Sequence, residues 1–351
     1  MNSRLHSQRD DVQRLWQVCF NDSPAFIELY FRLRYSDDNT VVRRVDGRTV
    51  SAMQLLPYPL TYFGTRLKTE YVSGACTDPD YRRRGLMTGL LTEAMQAMRR
   101  RGVSLATLIP ADSELFGYYA RVGFATAFTT GGLSTHVEPA TGSEQADYID
   151  ETDREAYRYL LGKQAERPCG LLHTEDDWAV ILADLNLCGG CAAVLRDERG
   201  QTHALVVVYP LFDREETSAC RTYRVEECLA DDEPSAGRLL SILARDLSAE
   251  RFVLAHLPFD GGRRIPLGMA RLIDAPAMLS AYAQAHPESA HHWHIVDTQL
   301  PDNTAYYDLE DGRCTVRPTP QAGNVYEEHT PAEIVGLVLR RFEPRMNLML
   351  N

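Results

Sequence analysis

The stretch TDPDYRRRGLMTGLL, residues 77 to 91, sets Arg82, Arg83 and Arg84 directly ahead of Gly85 and a run with helical periodicity. Aligned peptide dipoles make a helix N-terminus about half a charge positive, with unpaired N–H groups facing outward. Three cations at that end repel it unless an anion sits among them. Gly85 lets a ligand come close to the backbone, and first-turn amides are natural donors to phosphate oxygens. The turn therefore reads as an anion site, with a pyrophosphate as the fitting guest. Arg99, Arg100 and Arg101 lie in the last turn of the same helix, where cations complement the dipole and need no ligand. A P-loop needs a lysine that this stretch lacks, and a dinucleotide turn needs G-x-G-x-x-G, whereas Gly85 is followed only by Gly89.

Outward from the turn, Leu86, Leu90, Leu91, Ala94, Met95 and Met98 fall on one helical face, and Gly102 ends the helix. SLATLIPA reads as a short buried strand and SELFGYYARVGF as a short helix capped at Gly123. Upstream, residues 10 to 19 form a helix, SPAFIELYFRLRY is apolar and aromatic, and residues 39 to 77 alternate as an antiparallel meander. Its turns are Asp46-Gly47 and Phe63-Gly64. HVEPATGSEQ, residues 136 to 145, reads as a linker. A second α/β segment follows, with helices near 152–164 and 235–249, the hairpin CGGCAAVLRDERGQTHALVVVY and the strand RFVLAHLP. FDGGRRIPLG marks another boundary. The tail carries a short helix (APAMLSAYAQ), strands around HHWHIVDTQL and TAYYDLEDGRCTVRP, and a final helix in TPAEIVGLVL.

A strand, an acidic-Pro turn, R-x-x-G-x, a helix, a strand and then Tyr-x-x-x-Gly-Phe resemble the GNAT superfamily of acyl-CoA-dependent N-acyltransferases. Its usual turn, [R/Q]-x-x-G-x-[G/A], is matched by Arg82 to Met87, with Met87 in place of the small last residue. With YVSGACT, YYARVGF and ARLIDAPAMLSAY in view, the whole chain resembles the Eis (enhanced intracellular survival) family of aminoglycoside N-acetyltransferases. The resemblance implies an α+β chain of three units: a catalytic GNAT domain at 1–135, a degenerate second GNAT domain at 145–265, and a sterol-carrier-protein-2-like α/β domain at 266–351. The GNAT units would be mixed sheets with flanking helices.

Acetyl transfer from a thioester to an amine needs a held donor, a polarised carbonyl, a neutral amine and a proton for the leaving thiolate. The resemblance assigns the pyrophosphate of acetyl-CoA to Arg83, Arg84, Gly85, Leu86, Met87 and Thr88. It assigns the pantetheine arm to the strand Ala75-Cys76-Thr77, where one N–H would act as an oxyanion donor worth about 3 kcal/mol. Ser113 and Glu114 are implied as further cofactor contacts. Tyr119 is the implied general acid, with Tyr118 expected to pack elsewhere. The resemblance implies the main-chain carboxylate of Asn351 as the base, at the end of RFEPRMNLMLN, whose last residues are largely apolar. A homo-oligomer, hexameric by family resemblance, is also implied.

A formal charge of −12 argues against non-specific binding of nucleic acid or an anionic membrane and is compatible with a cationic substrate. The N-terminus has no apolar signal core and no stretch approaches a membrane span, so a cytoplasmic location is the expectation. The eight cysteines are scattered rather than arranged as a disulfide framework. Cys188-Gly-Gly-Cys191 reads as a Gly-rich bulge at a strand start, His291, His292 and His294 as a sheet surface, and Cys76 as a small buried hydrophobe; no metal is expected. Asp22, Glu114 and the acidic tail residues are candidates to line a pocket for a cationic substrate, which the sequence does not place. The acceptor is expected to be a small amine, polycations of the aminoglycoside kind included. A non-catalytic acyl-CoA or lipid carrier and a partner-regulating scaffold stay open as alternatives.

Overall fold

The computed structural model describes residues 7–211 and 221–349. Helix α1 (Gln8–Cys19) starts on a Ser7 capping box, and α2 (Pro24–Leu33) starts on Ser23 with Pro24 following. Strands β1 (Thr40–Val45), β2 (Arg48–Pro57), β3 (Leu60–Tyr62), β4 (Thr65–Leu67) and β5 (Thr69–Thr77) come next, with positive φ at Asp46-Gly47 and Phe63-Gly64 as the turn signals require. Then follow α3 (Leu86–Arg100), β6 (Leu105–Leu108), α4 (Ser113–Ala120), β7 (Ala125–Thr130) and β8 (Leu133–Thr135). The middle of the chain forms β9 (Asp147–Tyr148), α5 (Arg154–Ala165), β10 (Cys169–Leu171), α6 (Glu175–Cys188), β11 (Cys191–Arg196), β12 (Thr202–Leu211), β13 (Thr222–Ala230), α7 (Glu233–Asp246) and β14 (Arg251–Leu254). The last part is β15 (Ile265–Leu272), α8 (Ala275–Ala285), β16 (His291–Ile295), β17 (Ala305–Glu310), β18 (Arg313–Arg317), β19 (Glu327–His329) and α9 (Pro331–Val338).

The first sheet runs β1-β2-β5-β6-β15-β7, the second β8-β14-β13-β12-β11-β9, the third β18-β17-β16-β19, and a small fourth sheet runs β10-β3-β4. Two topological copies are visible. In the first, two helices precede antiparallel β1, β2 and β5, and α3 crosses to β6, which is parallel to β5. In the second, α5 and α6 precede antiparallel β11, β12 and β13, and α7 crosses to β14, parallel to β13. The first sheet is covered on one face by α1, α2, α8 and α9, with Trp16, Tyr30, Met278 and Ile334 in that core, and on the other by α3 and α4.

The expected units interlock. The boundary at 265/266 falls at the first residue of β15, and this strand lies inside the first sheet: Met269–Leu272 pair with β6 and Ile265–Ala270 with β7. Without it, β6 and β7 would each present an open edge. β8, expected at the end of the first unit, pairs with β14 in the second sheet. β10 leaves the middle of the chain to pair with β3.

Two helices lie where none was assigned, α2 and α6, although α6 opens on a Thr174/Asp177 capping box. Cys188-Gly-Gly-Cys191 is not a strand bulge. Cys188 ends α6, Gly189 adopts φ +72° as the left-handed cap, and β11 starts only at Cys191.

Candidate active site

Gly85 caps α3 in the left-handed region at φ +73°, with no side chain bonded to the cap, and Arg83 is also left-handed at φ +62°. Gly89 N bonds Gly85 O at 3.0 Å, whereas the amides of Leu86, Met87 and Thr88 have no carbonyl one turn earlier in the helix. A β-carbon built on Gly85 would meet nothing within 4 Å, so the backbone there is open to a ligand. The second copy differs at the matching point. The Asp232 carboxylate bonds Ser235 N at 2.7 Å and occupies the N-terminus of α7 itself. Only the first of the two helix ends is thus left for an external anion.

β5 and β6 pair only over Thr69–Tyr71 with Leu105–Thr107. Beyond Tyr71, β5 bulges against β2 at Gly74, which has φ +58° and lies under the Trp16 ring, where a β-carbon would sit 2.2 Å from an indole carbon. The strands diverge there and open a cleft of about 640 Å³. Of the residues expected to hold the cofactor, Ala75, Cys76, Thr77, Arg83, Gly85, Leu86, Met87 and Thr88 line it together. Arg84 does not: its guanidinium donates to Asp80 O at 2.9 Å and stacks over Tyr81. Arg82 takes its place on the wall, with Nε on Thr77 O at 3.0 Å. Ser113 and Glu114 are also absent from the lining, because they start α4 on the far side of Asp112, whose carboxylate caps their helix. Asp112 and Leu115 are the lining residues from that helix.

Tyr119 lines the cleft, buried, with its hydroxyl pushed up to about 12 by burial and bonded to nothing among the described residues. Tyr118 does not pack elsewhere. It lines the cleft too, and its hydroxyl lies 3.1 Å from Thr88 Oγ1. The turn after α4 is held from β15: Arg271, fully buried, donates Nε to Val122 O at 3.0 Å and Nη2 to Asp297 at 2.6 Å. Gly123 is small because Arg271 lies against it. Cys76 is buried as expected of a small hydrophobe, yet it shares the cleft with Cys19, whose Sγ donates to Thr77 O at 3.4 Å. The hydrogen bond from Cys76, aided by Arg82, brings the Cys19 thiol down to about 7 against the opposing effect of burial. Nothing in the spacing of the two cysteines signalled this pair.

A second cavity, of about 530 Å³, is lined in part by chain segments next to those that line the cleft. Cys19 and Phe20 line the cleft while Asp22, Ser23 and Phe26 line the cavity, and on the β6 side Ala111 and Asp112 face one and Ile109 the other. Asp184 of α6, Arg224 and Glu226 of β13, and residues 345–349 close it from the second unit and the tail. Asn351 lies outside the described residues. On the third sheet the histidines meet acidic neighbours the sequence did not place: His292 Nδ1 lies 2.9 Å from Asp308 and His294 Nδ1 3.2 Å from Glu328. Among the described residues no group of three or more His, Cys, Asp or Glu side chains is arranged to hold a metal ion, and no helix is long and apolar enough to cross a membrane.

An open helix end beside a splayed strand pair is the geometry in which a sequence comparison can decide. Residues 5–127 match the acetyltransferase (GNAT) domain family. The matched segment holds α1 to β6, the open turn, Tyr119 and both cysteines. An uncharacterised N-acetyltransferase of Streptomyces griseus is 27% identical over 145 residues, covering 38% of this chain and 34% of that protein. The match therefore spans about a third of the length of this curated relative. In fold, the likeness extends beyond the GNAT domain. A GCN5-related N-acetyltransferase from Anabaena variabilis superposes with a TM-score of 0.76 at 15% identity, covering 94% of this chain and 88% of that one. Eis1 from Mycobacterium abscessus superposes at 0.71 and 16% identity, covering 97% and 88%.

Proposed function

We propose that this chain is an acetyl-CoA-dependent N-acetyltransferase that passes the acetyl group directly to a small amine held in the second cavity. The observation that carries the reading is the free N-terminus of α3 at Gly85, opening onto the divergent β5/β6 edge with Tyr119 on the same wall. The amides of Leu86, Met87 and Thr88, with Arg82 and Arg83, would hold the pyrophosphate. Ala75 to Thr77 would lie along the pantetheine arm, and a backbone N–H of that strand would meet the developing oxyanion. Tyr119 keeps its proton through neutral pH and can deliver it to the departing thiolate, whose basicity rises as the C–S bond breaks. The cavity's lining from the segments that follow Phe20 and precede Ala111, both on the cleft wall, supports transfer within a ternary complex rather than through a covalent enzyme intermediate.

The paired topologies support a tandem GNAT arrangement in which the second copy, its helix end filled by Asp232, is non-catalytic. The fold likeness to Eis1 supports an Eis-like organisation with a carrier-protein-like third unit and a homo-oligomer. The test is calorimetric titration of acetyl-CoA into the wild type and Gly85→Asp, followed by amine-dependent release of CoA. Micromolar binding lost in the variant supports the reading. Binding that survives Gly85→Asp places the donor elsewhere. Binding without transfer to any amine, unaltered by Tyr119→Phe, leaves a carrier.

A further inference from the structure

The cleft below the α3 turn holds two thiols that the transfer chemistry leaves unused. Cys19 ends α1 and Cys76 lies in β5, far apart in the chain, yet both line the same wall. Cys76 belongs to the apolar cluster under α1, and Cys19 packs against that cluster. The Cys19 sulfur is partly exposed and well held. As a thiol it donates to Thr77 O at 3.4 Å, an oxygen that the Arg82 Nε–H also meets at 3.0 Å. As a thiolate it accepts from the Cys76 thiol, which is buried, and from Arg82.

The two thiols are unlike. The hydrogen bond from Cys76 brings Cys19 down to about 7 against burial, with Arg82 assisting, whereas Cys76 is raised by the same bond and by burial. Burial pushes up Cys169, Cys188, Cys191, Cys228 and Cys314 as well. Among the described residues, Cys19 is therefore the thiol that ionises near neutral pH, and it has a second thiol in contact. A reachable thiolate beside a cation is what peroxides oxidise, and a thiol neighbour resolves the product before it goes further.

We propose that Cys19 and Cys76 are a hydroperoxide-reactive dithiol, oxidised to an intramolecular disulfide on the wall of the cleft. The Cys19 thiolate attacks the hydroxyl oxygen of the hydroperoxide. An S–O bond forms, the O–O bond breaks, and the leaving alkoxide or hydroxide takes a proton from water. Cys76 then attacks the Cys19 sulfenic sulfur. The S–S bond forms, the S–O bond breaks, and the Cys76 proton departs with the hydroxyl as water. The two thiols lose two electrons and the peroxide gains them. The disulfide has no proton for Thr77 O, so oxidation is felt at the strand that would carry the donor arm. Resting on the acetyltransferase reading above, acetyl-CoA along Ala75 to Thr77 covers Cys19 and keeps the pair reduced.

The test treats the reduced full chain with a slight excess of hydrogen peroxide and maps its peptides by mass without reductant. The expected product is a Cys19–Cys76 linked peptide pair, lighter by two hydrogens and absent after dithiothreitol. Cys76→Ala should instead accumulate a Cys19 sulfenic acid that dimedone traps. Oxidation confined to other cysteines overturns the proposal, and so does wild-type Cys19 stopping at sulfenic or sulfinic acid with Cys76 free. The wild-type map decides even where the variant folds poorly. Acetyl-CoA at about ten times its dissociation constant should slow the disulfide about tenfold, since only the open cleft reacts. An unchanged rate while calorimetry shows acetyl-CoA bound overturns the shielding. Absence of acetyl-CoA binding removes the acetyltransferase reading and leaves the dithiol standing on its own map.

Discussion

Arg34, at the end of α2, reaches Asp177, in the first turn of α6, at 2.6 Å, with the aspartate side chain fully buried. This contact joins the first sheet's helices to those of the second and fixes the wall of the cavity between them. The guanidinium also lies over the Tyr58 ring at 4.8 Å. It meets Asp177 end-on: Arg34 Nε and Nη2 are buried without acceptors. Removing one partner strands the other charge in the core.

Arg34→Met or Asp177→Leu alone should therefore destabilise the chain by about 3 kcal/mol, and the double variant should lose clearly less than the sum, while keeping the cost of the capping box that Asp177 also makes with Thr174. Urea unfolding of the four proteins measures this. Additive losses would mean that the two residues do not act as a pair.

Gly74 permits the strand divergence that creates the cofactor cleft. Gly74→Ala must displace Trp16, which also donates to Asp22, and must hold a β-carbon at φ +58°. A loss of about 2 kcal/mol in stability, accompanied by weaker acetyl-CoA binding, is expected from overpacking and backbone strain. Gly47→Ala, at a left-handed turn with nothing within 4 Å, supplies the control for strain without a clash.

Tyr119→Phe should lower kcat by about 100-fold with little change in acetyl-CoA affinity. Burial holds the hydroxyl near 12, so its proton stays on throughout the alkaline range used for assays. Any fall in wild-type kcat below pH 10 should thus be absent from the account of Tyr119 and should persist in Tyr119→Phe. A basic limb that disappears in the variant would show that the phenol titrates far lower than its surroundings imply.

Among the described residues, Cys19 should be the most readily alkylated thiol. With its pKa lowered to about 7, its thiolate fraction grows as pH rises through neutrality, and the iodoacetamide rate should climb with a midpoint near 7. Cys76, raised by the same hydrogen bond and by burial, should stay unmodified. Peptide mapping after alkylation at pH 6, 7 and 8 reads this directly, and acetyl-CoA should protect Cys19 because both occupy one cleft. Equal labelling of both thiols would contradict the pairing.

Much of the first sheet was legible because its signals are local. Glycines at 47, 64, 85, 102 and 123 each take the positive φ that their turns demand, and the apolar face of α3 is buried as its spacing predicts. The arginine triplet marked the open helix end, although its members divide differently than the motif suggests: Arg82 and Arg83 face the cleft while Arg84 turns back to Asp80. Helix α6 escaped notice because it is apolar on most sides, with Trp178, Val180, Ile181 and Leu182 all buried, and a helix buried all round has no amphipathic stripe to read. Its Thr174/Asp177 capping box was the available signal.

The sequence by itself determined the elements whose hydrogen bonds and dihedrals close within a few residues: the turns, the caps, the β5–α3–β6 crossover and the anion-ready end of α3. Tertiary structure alone decided what stands between and around them. β15 enters the first sheet more than 150 residues after β6, β10 borrows the edge of β3, and Arg345 meets the carbonyl of His256 across 89 positions. Such contacts are selected by which strand edges and buried charges remain unsatisfied once the local pieces have formed, and that is a property of the assembled core.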